Sequence, residues 1–233
     1  MKKLLAAFIC LLLLVNVACQ HHETSYVNTK VWLHRVNTIE KAQRYQYDYP
    51  GFELDVHFID SLNTFIVKHD ANEASTLTLD EWCSAIDNIA NLGIWFDFKN
   101  LSTSNRESAL ARLQQICEQY HLTGKLYVES KQYRELYAFR EAGFKVSYYI
   151  PYFVPEEIDS LKYQQYRNEI ENAIHPGVTA ISGYDFQYEF LAKEFPQQNK
   201  LIWTTSLEAD IQSKLLKQLE PDASVEIILL PNE

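Results

Sequence analysis

Glycine is scarce in this sequence, six residues that never fall as GxG. Nucleotide-phosphate loops need clustered glycines so that backbone N–H groups can close on the phosphate, which excludes the usual Rossmann and P-loop readings. The nucleophile elbow GxSxG, the zinc-protease pair HExxH and the redox pair CxxC are missing too. Cysteine is nearly as sparse: of four, Cys10 falls in an apolar leader and Cys19 at its end, leaving Cys83 and Cys117 for the folded part. Both lie in helix-like segments, where buried free thiols are expected rather than a disulfide scaffold. Positive charge is in deficit, with 21 Lys and Arg against 31 Asp and Glu and a net charge of −10. An acidic exterior repels nucleic acid and anionic headgroups, so any phosphate chemistry has to rest on a local cation.

Long apolar runs are limited to one, Leu4 to Val15, which follows Lys2 and Lys3 and is too short to span a bilayer comfortably. That is the layout of a secretory signal. The run ends in VNVAC, which resembles a bacterial lipoprotein box with Cys19 as the lipidated residue, Asn16 standing where such boxes usually carry Leu. Residues 1–19 are therefore expected to be a lipoprotein signal, 20–29 (QHHETSYVNT) a polar tether, and 30–233 one folded domain. The mature chain, without the two leader lysines, would carry about −12. It is expected to be exported and held at the cell envelope through a lipid on Cys19, with plain secretion or a periplasmic location as the alternative.

From Lys30 onward, strand-like segments (VWLHRV, GFELDVHFI with FIVKHD close behind, IWFDFK, KLYVES, KVSYYI, TAISGY, KLIWTT, SVEIILL) alternate with amphipathic stretches such as LDEWCSAIDNIANL, ESALARLQQICEQY, QYRELYAFREAG and LEADIQSKLLKQLE. This is βα repetition, implying a mostly parallel sheet covered by helices. With FIVKHD taken as an extension of the second strand, the count reaches the eight needed to close a compact (β/α)8 TIM barrel.

The second strand poses the chemical question. In GFELDVHF one face is Phe52, Leu54, Val56 and Phe58, and the other carries Glu53, Asp55 and His57. Residues two apart share a face at roughly 7 Å, so both carboxylates can reach one ion. Asp97 on the neighbouring strand would add a third oxygen, a donor set for a hard cation, Mg²⁺ or Ca²⁺. The competing reading is an edge strand with Glu53 and Asp55 facing solvent. His34 and Arg35 end the first strand, and His69 follows in KHD. Two imidazoles suit displacement at phosphorus, one attacking or taking a proton while the other protonates the leaving oxygen. Lys99, on the face of Asp97, can stabilise charge on a phosphate oxygen. His57 is expected to be structural or to support the site from behind.

These residues resemble the phospholipase C-like phosphodiesterases that include glycerophosphodiester phosphodiesterases. The similarity is carried by His34 and Arg35, Glu53-Leu54-Asp55, His69-Asp70, and Trp203-Thr204 in IWTT. A menorin-type branch is similar in HRVN at His34 to Asn37, LTLDEW at Leu77 to Trp82, and DFK at Asp97 to Lys99; sphingomyelinase D-type enzymes share the H-x-V-N, E-x-D and FD-x-K elements. The resemblance implies a TIM barrel, a divalent cation on Glu53, Asp55 and Asp97, catalysis by His34 and His69 with Lys99 on the phosphate, and substrate contacts from Arg35, Asn37, Glu129 and Trp203. Trp203, with Tyr149 or Tyr152, can wall a headgroup site. The family's HRG has Val36 for its glycine. The implied substrate is a glycerophosphodiester or lysophospholipid-like small molecule. Two alternatives stay open: transfer giving a cyclic phosphate, and an exported, non-catalytic barrel that binds a phospholipid headgroup or a protein partner.

Overall fold

The computed structural model of the protein describes residues 30–175 and 177–232. The expected leader, Cys19 and the tether lie outside the described residues. The elements run β1 (Val31–Leu33), α1 (Ile39–Tyr45), β2 (Gly51–Ile59), β3 (Thr64–Val67), α2 (Leu79–Ser84), β4 (Gly93–Phe98), α3 (Arg106–Gln119), β5 (Leu126–Ser130), α4 (Tyr133–Glu141), β6 (Lys145–Tyr149), α5 (Ser160–Ile174), β7 (Ala180–Tyr184), α6 (Tyr188–Glu194), β8 (Asn199–Trp203), α7 (Ala209–Leu219) and β9 (Val225–Leu230). Eight strands pair in parallel in the order β1-β9-β8-β7-β6-β5-β4-β2, and a further pairing of β1 with β2 closes the ring. The fold is the expected (β/α)8 barrel.

The alternation read along β2 becomes two separate environments. Phe52, Leu54 and Val56 point outward, fully buried beneath the helices, and join Phe96, Phe98 and Phe139 in the main core. Their alternate neighbours point into the lumen, where a smaller apolar cluster of Trp95, Tyr127, Ala180, Leu201, Ile227 and Leu229 fills the interior. Trp32 packs against that cluster, and two glycines make room for it. A Cβ on Gly51 or Gly93 would come within 2.4 or 2.3 Å of its indole ring. Glycine is required there by the close approach of a large side chain, not by backbone conformation.

FIVKHD is not an extension of the second strand. Its first three residues lie in β3, which turns back through Asp60–Leu62 and pairs antiparallel with β2 in the register His57↔Ile66, and Lys68–Asp70 follow the strand. β2 is nine residues long and runs past the barrel rim, so β3 lies beside that overhang, outside the ring. Phe65 anchors it, meeting Phe58, Phe96 and Phe98 at 4.9, 5.0 and 5.4 Å between ring centroids. The stretch LDEWCSAIDNIANL also differs from a single helix. It breaks after Ser84 and resumes as a short 3-10 turn at Ile89–Asn91. Cys83 and Cys117 are both buried free thiols. Among the described residues, no helix is long and apolar enough to cross a membrane.

The seam between β1 and β2 is narrow, a single register pair, Leu33↔Phe52, where β1 makes three with β9. The loop after β1 completes it by other means. Val36 N–H donates to Glu53 O at 2.8 Å, and Asp55 N–H donates to the Asn37 side-chain oxygen at 2.9 Å.

Candidate active site

The site is built at the C-terminal mouth of the barrel, where loops of this fold carry chemistry. His34 to Asn37 leave β1 and reach α1, whose N-cap Thr38 accepts from Lys41 N–H. Arg35 is held at φ 52°, a left-handed conformation uncommon for a side-chain-bearing residue. Its N–H consequently donates to Glu53 Oε2 at 2.7 Å. The Lys41 ammonium holds the other side of the turn through the carbonyls of His34 and Arg35, at 2.9 and 3.2 Å.

Glu53, Asp55 and Asp97 are 3%, 1% and 8% exposed, which excludes the solvent-facing edge strand. One oxygen from each lies within 4.8 Å of the others. The register explains this: Asp55 and Asp97 are direct neighbours on adjacent strands, and Glu53 lies one face-repeat below Asp55. Asn37 donates to Asp55 Oδ2 at 2.7 Å, and the Lys99 ammonium contacts Asp55 Oδ1 at 2.7 Å and also Asp97. Burial works against the Lys99 charge, yet Asp97 and Asp55 together hold it above the ordinary lysine range. One ammonium does not balance three carboxylates. Burial, reinforced by Asp55 and Asp97, pushes Glu53 well above the usual carboxylate range, and burial raises Asp97 despite Lys99. Hard oxygen donors that converge and are short of positive charge fit a divalent cation such as Mg²⁺ or Ca²⁺.

The two histidines are prepared differently. His34 Nε2 lies 3.6 Å from Glu53 Oε2, and burial, helped by the Arg35 charge, lowers its pKa to about 3. Its imidazole is neutral at physiological pH. His69, at the end of the β3 ribbon, is bracketed: Arg35 Nη2 donates to Nε2 at 3.0 Å, and Nδ1 lies 2.8 Å from Asp70 Oδ1. Since the guanidinium can only donate, this network assigns the Nδ1–H tautomer with Asp70 as acceptor. His57, from β2, donates Nε2–H to the His69 carbonyl at 3.2 Å. It supports the second histidine from behind and does not line the cavity.

The cavity among these groups is about 90 Å³. His34, Arg35, His69 and Lys99 line one part of it, and Trp95, Tyr149, Tyr184 and Trp203 another. Glu129, directly beside Asp97 in the β4–β5 register, lies between them. It is 2% exposed, and its Oε2 has no hydrogen-bond partner.

No protein-family model and no curated protein matches this sequence. Solved structures of similar shape are glycerophosphodiester phosphodiesterases. One from Parabacteroides distasonis has a TM-score of 0.58 at 17% identity, covering 89% of this chain and 94% of that one. One from Agrobacterium tumefaciens has a TM-score of 0.56 at 12% identity, with 88% and 96% covered. A phosphodiesterase from Oleispira antarctica, solved in complex with the product sn-glycerol-3-phosphate, has a TM-score of 0.60 at 11% identity, with 87% and 92% covered. The likeness is one of fold.

Of the residues read from the sequence, His34, Arg35, Glu53, Asp55, His69, Asp97, Lys99, Glu129 and Trp203 all line this one cavity. Asn37 does not; both ends of its amide are committed to Asp55. Tyr152 is displaced outward, 64% exposed. Other contributors went unread, among them Thr205 and Leu229 of the lining. Tyr184 and Trp95 line the cavity as aromatics hidden among many, although each sits at a lumen-facing position of its strand. Trp82 of LTLDEW is fully buried and donates its indole N–H to the Val36 carbonyl at 2.9 Å. Its helix is held by a capping box between Thr78 and Glu81, a pairing visible in the sequence as T-x-x-E.

Proposed function

We propose that this chain is a metal-dependent phosphodiesterase acting on glycerophosphodiesters or their single-chain lysophospholipid counterparts, exported and held at the cell envelope by a lipid on Cys19. The observation that carries the reading is the convergence of three buried carboxylates with a neutral histidine and a carboxylate-backed histidine at one barrel mouth. A cation held by Glu53, Asp55 and Asp97 would offset charge on the non-bridging phosphate oxygens. His34, uncharged at neutral pH, has the lone pair needed to attack phosphorus or to take a proton from the attacking hydroxyl. Once Arg35 leaves, His69 Nε2 takes up a proton from solvent, Asp70 stabilises the imidazolium through Nδ1–H, and Nε2 then gives that proton to the leaving oxygen. The release of Nε2 comes from the arriving phosphodiester monoanion, which draws the guanidinium away as its bidentate partner. Lys99, lining the same cavity beside Asp55 and Asp97, adds positive charge for a phosphate oxygen. Kinship to the menorin-type branch is part of this reading and rests on the HRVN, LTLDEW and DFK motifs of the sequence.

The test is ³¹P NMR of the leaderless protein on mixed glycerophosphodiesters and lysophospholipids, with Mg²⁺ or Ca²⁺ and with chelator, beside His34→Ala. The expected result is a new phosphate resonance that chelator and the variant both abolish. A resonance in the cyclic-phosphate region would mean that a substrate hydroxyl attacks in place of water. An unchanged spectrum under all conditions would overturn the enzyme reading in favour of a binding barrel.

A further inference from the structure

The aromatic wall of the cavity does not stop at its mouth. Tyr184 lies 4.9 Å from Trp203 between ring centroids, and stacks on Phe186 at 5.0 Å with 15° between planes. Tyr152 meets Tyr184 and Phe186 edge-on at 5.6 and 5.7 Å. Exposure rises along this path, from 7% at Trp203 to 37% at Phe186 and 64% at Tyr152. The strip is assembled from the ends of β7 and β8 and the loops after β6 and β7, opposite the polar side contributed by Arg35, His69 and Lys99. It is thus a continuous apolar surface that starts inside the phosphodiester site and ends in solvent.

The cavity decides what such a surface is for. With about 90 Å³ open to the centres of water-sized groups, it takes a phosphate group but not a long substituent. The rest of a substrate must lie along a wall, and an apolar substituent is directed to the strip. The contacts joining the four residues are ring against ring, which suits methylene groups. A net charge of −10 disfavours docking on an anionic bilayer and favours a dispersed or micellar amphiphile. We propose that the strip Trp203–Tyr184–Phe186–Tyr152 is the track for the acyl chain of a single-chain phosphodiester lipid. This rests on the phosphodiesterase reading and narrows its substrate class from chainless glycerophosphodiesters to lysophospholipid-like molecules.

Two measurements test it with the leaderless protein and the double variant Tyr152→Ala/Phe186→Ala, both sites being exposed enough for the fold to tolerate the change. The first is the ratio of kcat/KM for lysophosphatidylcholine over glycerophosphocholine. The wild type is expected to favour the chain-bearing substrate at least tenfold and the double variant to lose most of that preference; no preference, or one that the variant keeps, overturns the track. The second needs no turnover: tryptophan fluorescence is titrated with alkylphosphocholines of increasing chain length, below micelle formation. Affinity is expected to rise with length, by up to about fourfold for each methylene leaving water, and the variant to flatten the rise. Chain-dependent binding without turnover of either substrate would retain the track and refute the enzyme. Turnover with chain-independent binding would retain the enzyme and refute the track.

Discussion

Replacing Asn37 with Ala separates a residue that touches substrate from one that builds the site. The Asn37 amide gives two hydrogen bonds to one partner: Nδ2–H to the Asp55 carboxylate at 2.7 Å, and Asp55 N–H to its Oδ1 at 2.9 Å. A hydrogen bond to a charged group contributes about 2 kcal/mol and one between neutral groups about 1, and Asp55 is only 1% exposed, so water does not readily replace either. The loss should be about 3 kcal/mol. For a domain of this size each kcal/mol moves the melting temperature by about 2–4 °C, which gives a fall of roughly 6–12 °C. Because Asp55 would also lose its orientation, affinity for Mg²⁺ or Ca²⁺ should drop by about 10- to 100-fold. Differential scanning calorimetry in chelator reads the first effect, and titration calorimetry with the metal reads the second. A variant that melts within about 2 °C of wild type, binds metal equally well and shows only a raised KM would refute the reasoning and make Asn37 a substrate contact.

Other perturbations probe neighbouring parts of the same arrangement. Lys99→Gln leaves Asp55 and Asp97 without their ammonium; breaking a buried pair costs about 3 kcal/mol, so in chelator the variant should melt well below wild type, and added Mg²⁺ should restore more stability to it than to wild type. Equal metal-induced shifts would count against that. For His34 the sign follows from a folded pKa near 3 against an unfolded value near 6.5: the unfolded chain takes up the proton first, so stability is intact above pH 6.5, falls as pH drops toward 3, and is constant below. By pH 5 the loss is about 2 kcal/mol; His34→Asn should escape it, and melting curves of the two proteins in chelator that stay parallel from pH 7.5 to 5 would contradict the assignment. Trp82→Phe keeps the packing but orphans the buried Val36 carbonyl, so it should cost about 1–2 kcal/mol and lower kcat/KM through the His34 turn, measured by thermal melts beside turnover.

The parts of this site that sequence reading reaches are those set by the two-residue period of a strand. Glu53 and Asp55, or Asp97 and Lys99, declare their shared face by spacing alone, and the outward Phe52, Leu54 and Val56 fix which face it is. The βα alternation gives the barrel in the same way. What spacing does not reach is pairing between distant segments. Asn37 with Asp55, Trp82 with Val36 and His57 with the His69 carbonyl are each joined by the fold, not by any local pattern. FIVKHD is instructive because its composition reads as strand whichever way it runs. Only the turn at Asp60–Leu62, with Asn63 in a left-handed conformation, sets its antiparallel direction and so brings His69 back to the mouth.

The narrow β1–β2 seam gives the turn that carries His34 a second identity, as the clasp of the ring. With one strand register pair at that joint, closure depends on the bonds from Val36 and Asn37, within the same turn that carries His34. On its other side the first strand pairs with the ninth, which joins the two ends of the barrel domain across far more sequence than the seam itself, so that pairing is the natural last step of folding and leaves the seam exposed until it forms. Opening the seam locally would undo the site before the rest of the barrel loosens. Hydrogen exchange should therefore show the amides of Val36 and Asp55 opening below the global free energy, and a bound cation slowing them more than amides elsewhere in the barrel.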